Sequence, residues 1–409
     1  MIDVLIAGGG PAGLATAIRC AQAGLEVTVA EPRSGPIDKA CGEGLMPAAV
    51  AGLDAIGVEP HGWPLSGIRY LDERHQADGP FRGGAGLGVR RTELHAALGL
   101  RAKELGVSVL PVRVGAFVQD GESVRAAGLT ARYLVAADGL HSSIRRACGL
   151  EGSGGSVRSG SFGSGSVRSG SLRTGAGRSG AGRSGARYGL RRHYRVAPWT
   201  SMVEVYWSAG SEAYVTPVAD DLVGVAILGG RGGGAPVGGG APVGGGTSLG
   251  GGGGRAGRDG GTLLDGGASL GGGGGFESRL AAFPALRERL AGAEPASTVR
   301  GAGPLRQDVR RRVCGRVLLV GDASGYLDAL TGEGISVALA QAAVLAPCLR
   351  DGRPADYERA WRRVSRKSRL LTAGLLWSRR QPLLGGRIVP AAERLPRLFT
   401  AIVNQVADG

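Results

Sequence analysis

Residues 2–31 read IDVLIAGGGPAGLATAIRCAQAGLEVTVAE. IDVLIA is apolar apart from Asp3 and runs into glycines, PAGLATAIRCAQAG has helical spacing closed by Gly24, and LEVTVAE is a second β-rich run, so the stretch is a βαβ unit. Gly8, Gly10 and Gly13 form G-x-G-x-x-G between the first strand and the helix, and Glu31 ends the second strand. Glycines there let the backbone approach a pyrophosphate at a helix N-terminus, whose exposed N–H groups and dipole favour negative charge. A carboxylate after the second strand accepts from ribose hydroxyls.

Outward from this unit, 409 residues are enough to bury a large core in more than one lobe. Of the 78 glycines, 38 lie in 152–186 and 229–275. The first tract repeats SVRSGS and the second repeats GAPVGGG. Neither composition buries enough apolar surface to offset its ordering entropy, so both are expected to be flexible insertions, with a basic docking arm as the alternative for 152–186. The formal charge of +15 is concentrated in that tract and after residue 355, with no aromatics interleaved as single-strand nucleic acid requires. The five cysteines are scattered without zinc spacing, which fits a reducing cytoplasm and no metal. The absence of a long apolar run points to a cytoplasmic protein, at most peripheral to the inner face of the membrane.

Val107–Asp138 reads as short β-prone runs in a small antiparallel meander, with ARYLVAAD returning as a buried strand, and 188–228 reads as further strands. DYERAWRRVSRKSRLLTAGLLWSRR (356–380) is a basic helix with an apolar stripe, either packed on the core or lying on a membrane surface.

RVLLVGDASGYLDALTGEGISVALAQA (316–342) reads as a buried strand, a sharp turn at Gly321 and Asp322, a Gly-Glu-Gly segment ending in Gly332 and Gly334, and a helix. A second ligand-facing turn so far along the chain is what a long dinucleotide needs. DGLHSSIR (138–145) supplies Asp138, Gly139, Ser142 and Arg145; taken alone, the Asp-Gly pair would only end a strand and Arg145 would be a surface charge.

The three motifs in this order resemble the FAD-dependent oxidoreductase family of aromatic-ring hydroxylases and geranylgeranyl reductases, over nearly the whole chain outside the glycine tracts. The resemblance implies an α/β fold. Its parts would be a discontinuous Rossmann-like FAD-binding domain (1–150, with a substrate-domain segment at about 60–90, and 301–350), an insert at 151–187, an antiparallel-sheet substrate domain at 188–300, and a helical extension at 351–409. It implies that Asp322 holds the ribityl hydroxyls, that Arg91 in RRTELHAAL contacts the phosphate side, that Asp138 serves the cofactor, and that the helix from Gly334 aims its positive end at the flavin. DKACGEGLMP (38–47) lies where the family brings a loop over the flavin, making Cys41 and Glu43 the catalytic candidates, against a plain tight loop. Tyr206, Trp207, Tyr214 and Pro217 fall on strands that would wall a substrate cavity, and at β spacing serve equally as core.

The expected function is flavin redox chemistry with FAD and NADH or NADPH as donor. The first expectation is a monooxygenase, in which the oxygen adduct of reduced flavin hydroxylates a small apolar aromatic, polyketide-like or isoprenoid substrate with molecular oxygen as partner. The alternatives are a reductase of a polyprenyl double bond, which KACGEG and LTGEGI favour, and a non-catalytic basic adaptor. A halogenase lacks support because HGWPLSG holds the single Trp63. Nucleic acid is not an expected partner, and peripheral membrane contact would run through the basic helix.

Overall fold

A computed structural model describes residues 1–152, 186–230, 263–264, 275–381 and 385–408. The expected flexibility of the two glycine tracts therefore falls outside the described residues, except at their edges. There the reading needs correction: Gly229 and Gly230 complete the strand Leu222–Gly230 opposite Tyr188 and Arg187, and Leu263–Leu264 runs parallel beside Arg300–Gly301.

The opening βαβ unit folds as read, with strands Ile2–Ala7 and Val27–Ala30 parallel and helix Pro11–Gln22 between them. Helices on one face and an antiparallel ribbon on the other bury these strands on both sides, which is why they are near-continuous apolar runs. Across this sheet the parallel strands run Val317–Leu319, Leu129–Ala136, Ile2–Ala7, Val27–Ala30 and Ser108–Leu110. The expected meander is smaller than the sequence suggested. Only Phe117–Gln119, Val124–Ala126 and Leu129–Ala136 pair antiparallel, whereas Ser108–Leu110 extends the parallel sheet beside Val27–Ala30. Short strands read alike in either pairing, and the preceding helix Arg91–Glu104 makes the parallel crossover possible.

Strand register levels the sites. Ala7 lies opposite Ala136, and Ala136 opposite Leu319, so the turns after all three strands emerge at the same carboxyl edge of the sheet. This is where open α/β sheets bind ligands.

A nine-stranded sheet is assembled from distant segments, with Gln76–Pro80, Gly67–Leu71, Met202–Ser208, Ser211–Ala219, Leu222–Gly230, Arg187–Arg195 and Arg300–Ala302 in order. Alternation sorts its side chains. Leu190, Tyr206, Val215 and Val225 pack under the helices Phe276–Leu280 and Pro284–Arg289, while Val203, Val205, Tyr214, Ala226 and Leu228 face the opposite way. A three-stranded sheet of Gly44–Leu45, Gly86–Gly88 and Trp63–Leu65 holds the loop before Gly44 in place.

The helix Asp356–Arg380 buries Tyr357, Trp361, Ser365 and Thr372, and its Arg379 pairs with fully buried Glu212, so the basic helix is packed on the core. The helices Ile388–Arg394 and Pro396–Ala407 follow, and Phe399 and Val403 close over the sheet at Gly79 and Tyr70. No helix among the described residues is long and apolar enough to cross a membrane.

Candidate active site

The first turn is built for close backbone approach. Gly8 has φ +106°, and a Cβ there would lie 2.5 Å from the Ala137 carbonyl oxygen; one on Gly13 would lie 1.9 Å from the Gly8 oxygen. Helix Pro11–Gln22 starts from Gly10 with no side-chain cap, so its first-turn donors are left to a ligand. Glu31 is buried and accepts from the Gly9 amide at 2.8 Å and from Arg33. Burial alone would raise its carboxyl, but Arg33 and the two amides outweigh it and hold the group at about 2.

The Arg91 guanidinium lies over this turn, with Nη2 3.8 Å from where a Gly10 side chain would begin. Arg91 is buried, and its Nη1 has no hydrogen-bond partner among the described residues. An unsatisfied guanidinium nitrogen beside a glycine turn fits a phosphate.

In the second motif the two oxygens of Asp138 have different surroundings. Oδ2 accepts from the Ser143 and Ile144 amides and so caps the helix Ser143–Ala147, while Oδ1 is buried without a hydrogen-bond partner among the described residues. Arg145 is not a surface charge. It is buried and donates to the carbonyls of Leu140 and Ala323 and to Gln307 Oε1, tying the second turn to the third. The third turn opens at Gly321, φ +61°, where a Cβ would meet that of Ala12 at 2.6 Å. Asp322 follows, and Gly332, φ +70°, leads into the helix Gly334–Arg350, which also starts without a side-chain cap.

One cavity of about 420 Å³ gathers most of these positions. Gly10, Arg91, Gly139, Gly321, Asp322, Gly332 and Gly334 line it together with Cys41 and Glu43. Gly8, Gly13, Glu31 and Asp138 stand behind that lining and shape it. Of the four substrate-wall candidates, Tyr214 lines the cavity and donates to the Leu330 carbonyl. Tyr206 does not: it faces the other side of its sheet and donates to buried Glu204, because neighbouring strand positions alternate. Trp207 packs beside Tyr70, and the carbonyl of Pro217 crowds Gly88.

The loop 38–44 carries the strongest electrostatic feature. Glu43 has φ +61° and is 3% exposed; its Oε1 accepts from the Arg91 amide at 2.9 Å and its Oε2 meets His193 Nε2 at 2.6 Å. The Glu43 amide donates to Cys41 Sγ at 3.4 Å, and burial pushes the Cys41 thiol up, with Arg91 opposing. Arg191 pairs with Asp38, which Arg300 also holds. Asp38, Arg191, His193 and Gly224 escaped the sequence reading as site residues. Gly224 is needed because a Cβ there would lie 2.9 Å from Glu43 Oε2. Alternation puts Arg191 and His193 on one face of a strand, but nothing local connects them to a loop about 150 positions away.

Residues 1–218 match the family described as FAD binding domain. The menaquinone reductase of Mycolicibacterium smegmatis is 36% identical over 168 residues, 36% of this chain and 40% of that protein. The 6-methylpretetramide 4-monooxygenase of Streptomyces rimosus is 31% identical over 177 residues, 36% of this chain and 41% of that protein. The chain thus matches about two fifths of the length of these relatives. A flavoprotein/dehydrogenase structure from Cytophaga hutchinsonii superposes over 100% of this chain and 93% of its own with a TM-score of 0.70 at 17% identity, a likeness of fold.

Proposed function

From the premise that the chain belongs to the FAD binding domain family, we propose that it is an FAD-dependent oxidoreductase that saturates a double bond in an isoprenoid chain. The observation that carries this reading is the lining of the cavity. Beside the Gly10 and Gly334 turns, Cys41 and Glu43, it includes the apolar side chains of Val203, Val205 and Leu228 and those of Leu395, Leu398 and Ile402, which are exposed at the surface. A largely apolar lining that includes surface-exposed side chains suits a long tail whose head stays outside.

The cofactor fits the residues present: Gly8, Gly13 and Gly321 let the turns pack closely at the carboxyl edge, Arg91 has a nitrogen for phosphate, and Asp322, which lines the cavity, is the residue to which we assign the ribityl hydroxyls. When bound, FAD supplies the electron pair as hydride, with NADH or NADPH as the proposed donor. The chain's own task is to orient the tail, exclude water and provide the proton for the second carbon. We assign the last of these to Glu43 or Cys41, which both line the cavity. The reductase relative supports this choice over hydroxylation, which the monooxygenase relative represents on the same cofactor scaffold. We further propose that the lipid enters from a membrane surface, because Leu395 and Leu398 are exposed next to Arg394 and Arg397 in the chain.

The test is a single turnover. Photoreduced holoprotein is mixed with a short-tailed menaquinone without oxygen, and the product is weighed by mass spectrometry. Gain of a pair of hydrogens in the tail supports the reading; gain of an oxygen atom only after oxygen is admitted establishes hydroxylation instead. Leu398→Asp is expected to reduce sedimentation with anionic vesicles while FAD content is unchanged.

A further inference from the structure

We infer that Glu43, His193 and Ser297 form a proton path joining the inner end of the cavity to solvent, with His193 as a positioning and relay residue. The inference deepens the reductase reading, in which an acid must be recharged after each turnover in a cavity filled by an apolar tail.

Three hydrogen-bonded contacts make the path. Glu43 Oε2 faces His193 Nε2 at 2.6 Å; His193 Nδ1 faces Ser297 Oγ at 3.0 Å; and the His193 amide donates to the same Ser297 oxygen at 3.0 Å. Burial falls at its outer end: Glu43 and His193 are 3% and 1% exposed, whereas Ser297 is half-buried between exposed Pro295 and Thr298.

The surrounding charges set the direction. Arg191, which can only donate, points Nη1 at His193 Nδ1 at 3.1 Å, so Nδ1 rests as an acceptor and Nε2 carries the hydrogen towards Glu43. Arg191 is in turn held by Asp38 and lies 3.9 Å from Glu43 Oε1, while the Arg91 amide holds that oxygen. Glu43 is thereby fixed with one oxygen committed and the other aimed at the imidazole. A proton arriving from solvent through the Ser297 hydroxyl binds Nδ1 as the Nε2 proton crosses to Glu43 Oε2. One proton enters the ring as another leaves, and no electrons move.

A merely structural role for His193 predicts a different outcome in two experiments on the holoprotein. His193→Gln keeps an N–H donor near the Nε2 position but cannot pass a proton. In the anaerobic turnover with short-tailed menaquinone, it is expected to retain FAD, melting temperature and substrate affinity while flavin reoxidation slows on the order of a hundredfold. Reoxidation at the wild-type rate would overturn the path.

The second experiment needs no turnover. With nitrogen-labelled histidine, NMR is expected to show His193 as the neutral Nε2–H tautomer, with a proton that exchanges with water despite its burial. Ser297→Ala is expected to slow that exchange at least on the order of tenfold, and Ser297→Thr to restore it. Exchange unchanged in Ser297→Ala, or the opposite tautomer, rejects the path even if His193→Gln fails to fold. If menaquinone is not reduced at all, the reductase reading fails and the exchange measurement alone decides the relay.

Discussion

At the scale of single residues, two positions in the first turn carry separable loads. Gly13 is required by contact, since any side chain would penetrate the Gly8 carbonyl, so Gly13→Ala is expected to give protein without FAD or no folded protein, read by flavin absorbance after purification. Glu31 is required by charge. Its carboxyl is held at about 2 against an ordinary 4.5, so the stability it contributes, at most about 3 kcal/mol, is fully present above pH 4.5 and is lost as the pH falls toward 2. The melting-temperature gap between wild type and Glu31→Gln is therefore expected to be widest near neutrality and to narrow on acidification; a gap that does not change with pH would mean that packing rather than charge sets it.

Elements are coupled here by buried polar side chains more than by chain proximity. Arg145 clamps the Asp138–Gly139 turn to the Gly321–Ser324 turn through the carbonyls of Leu140 and Ala323. Arg145→Met is expected to cost about 2–4 kcal/mol, because buried acceptors lose their donor, and to weaken FAD retention as the two turns separate. Denaturant unfolding and flavin release measure the two effects, and Arg145→Lys is expected to restore little, since an ammonium cannot reach both carbonyls as a planar fork does. The same motif could be recognised from D-G-x-x-S-x-x-R, but its physical role could not. A buried bridge and an exposed charge look identical in one dimension.

For the whole molecule, the turns after the parallel strands and one face of the nine-stranded sheet line the same cavity, and Gly67–Leu71 and Gln76–Pro80 form one edge of that second sheet. Outside the paired residues Gly229–Gly230 and Leu263–Leu264, the composition of the two glycine tracts offers little apolar surface for a core. Replacing 153–185 and 231–262 separately with short Gly-Ser linkers is expected to leave FAD content and melting temperature nearly unchanged. A large fall in either would give a tract a structural role.

Local patterns were sufficient for the βαβ unit, the turns at Gly8, Gly139 and Gly321 and the helix at Gly334, because each depends on neighbours within one strand–turn–helix: glycines where the backbone must come close, apolar runs where both faces are covered. Cys41 and Glu43 were visible as a thiol and a carboxylate in a glycine-flanked loop. That Glu43 meets His193 and Arg191, and that Tyr214 rather than Tyr206 faces the cavity, was settled only by tertiary structure. These depend on which face of a distant sheet turns inward, and on the close packing that brings residues 43, 193 and 224 into contact. No spacing along the chain encodes that approach.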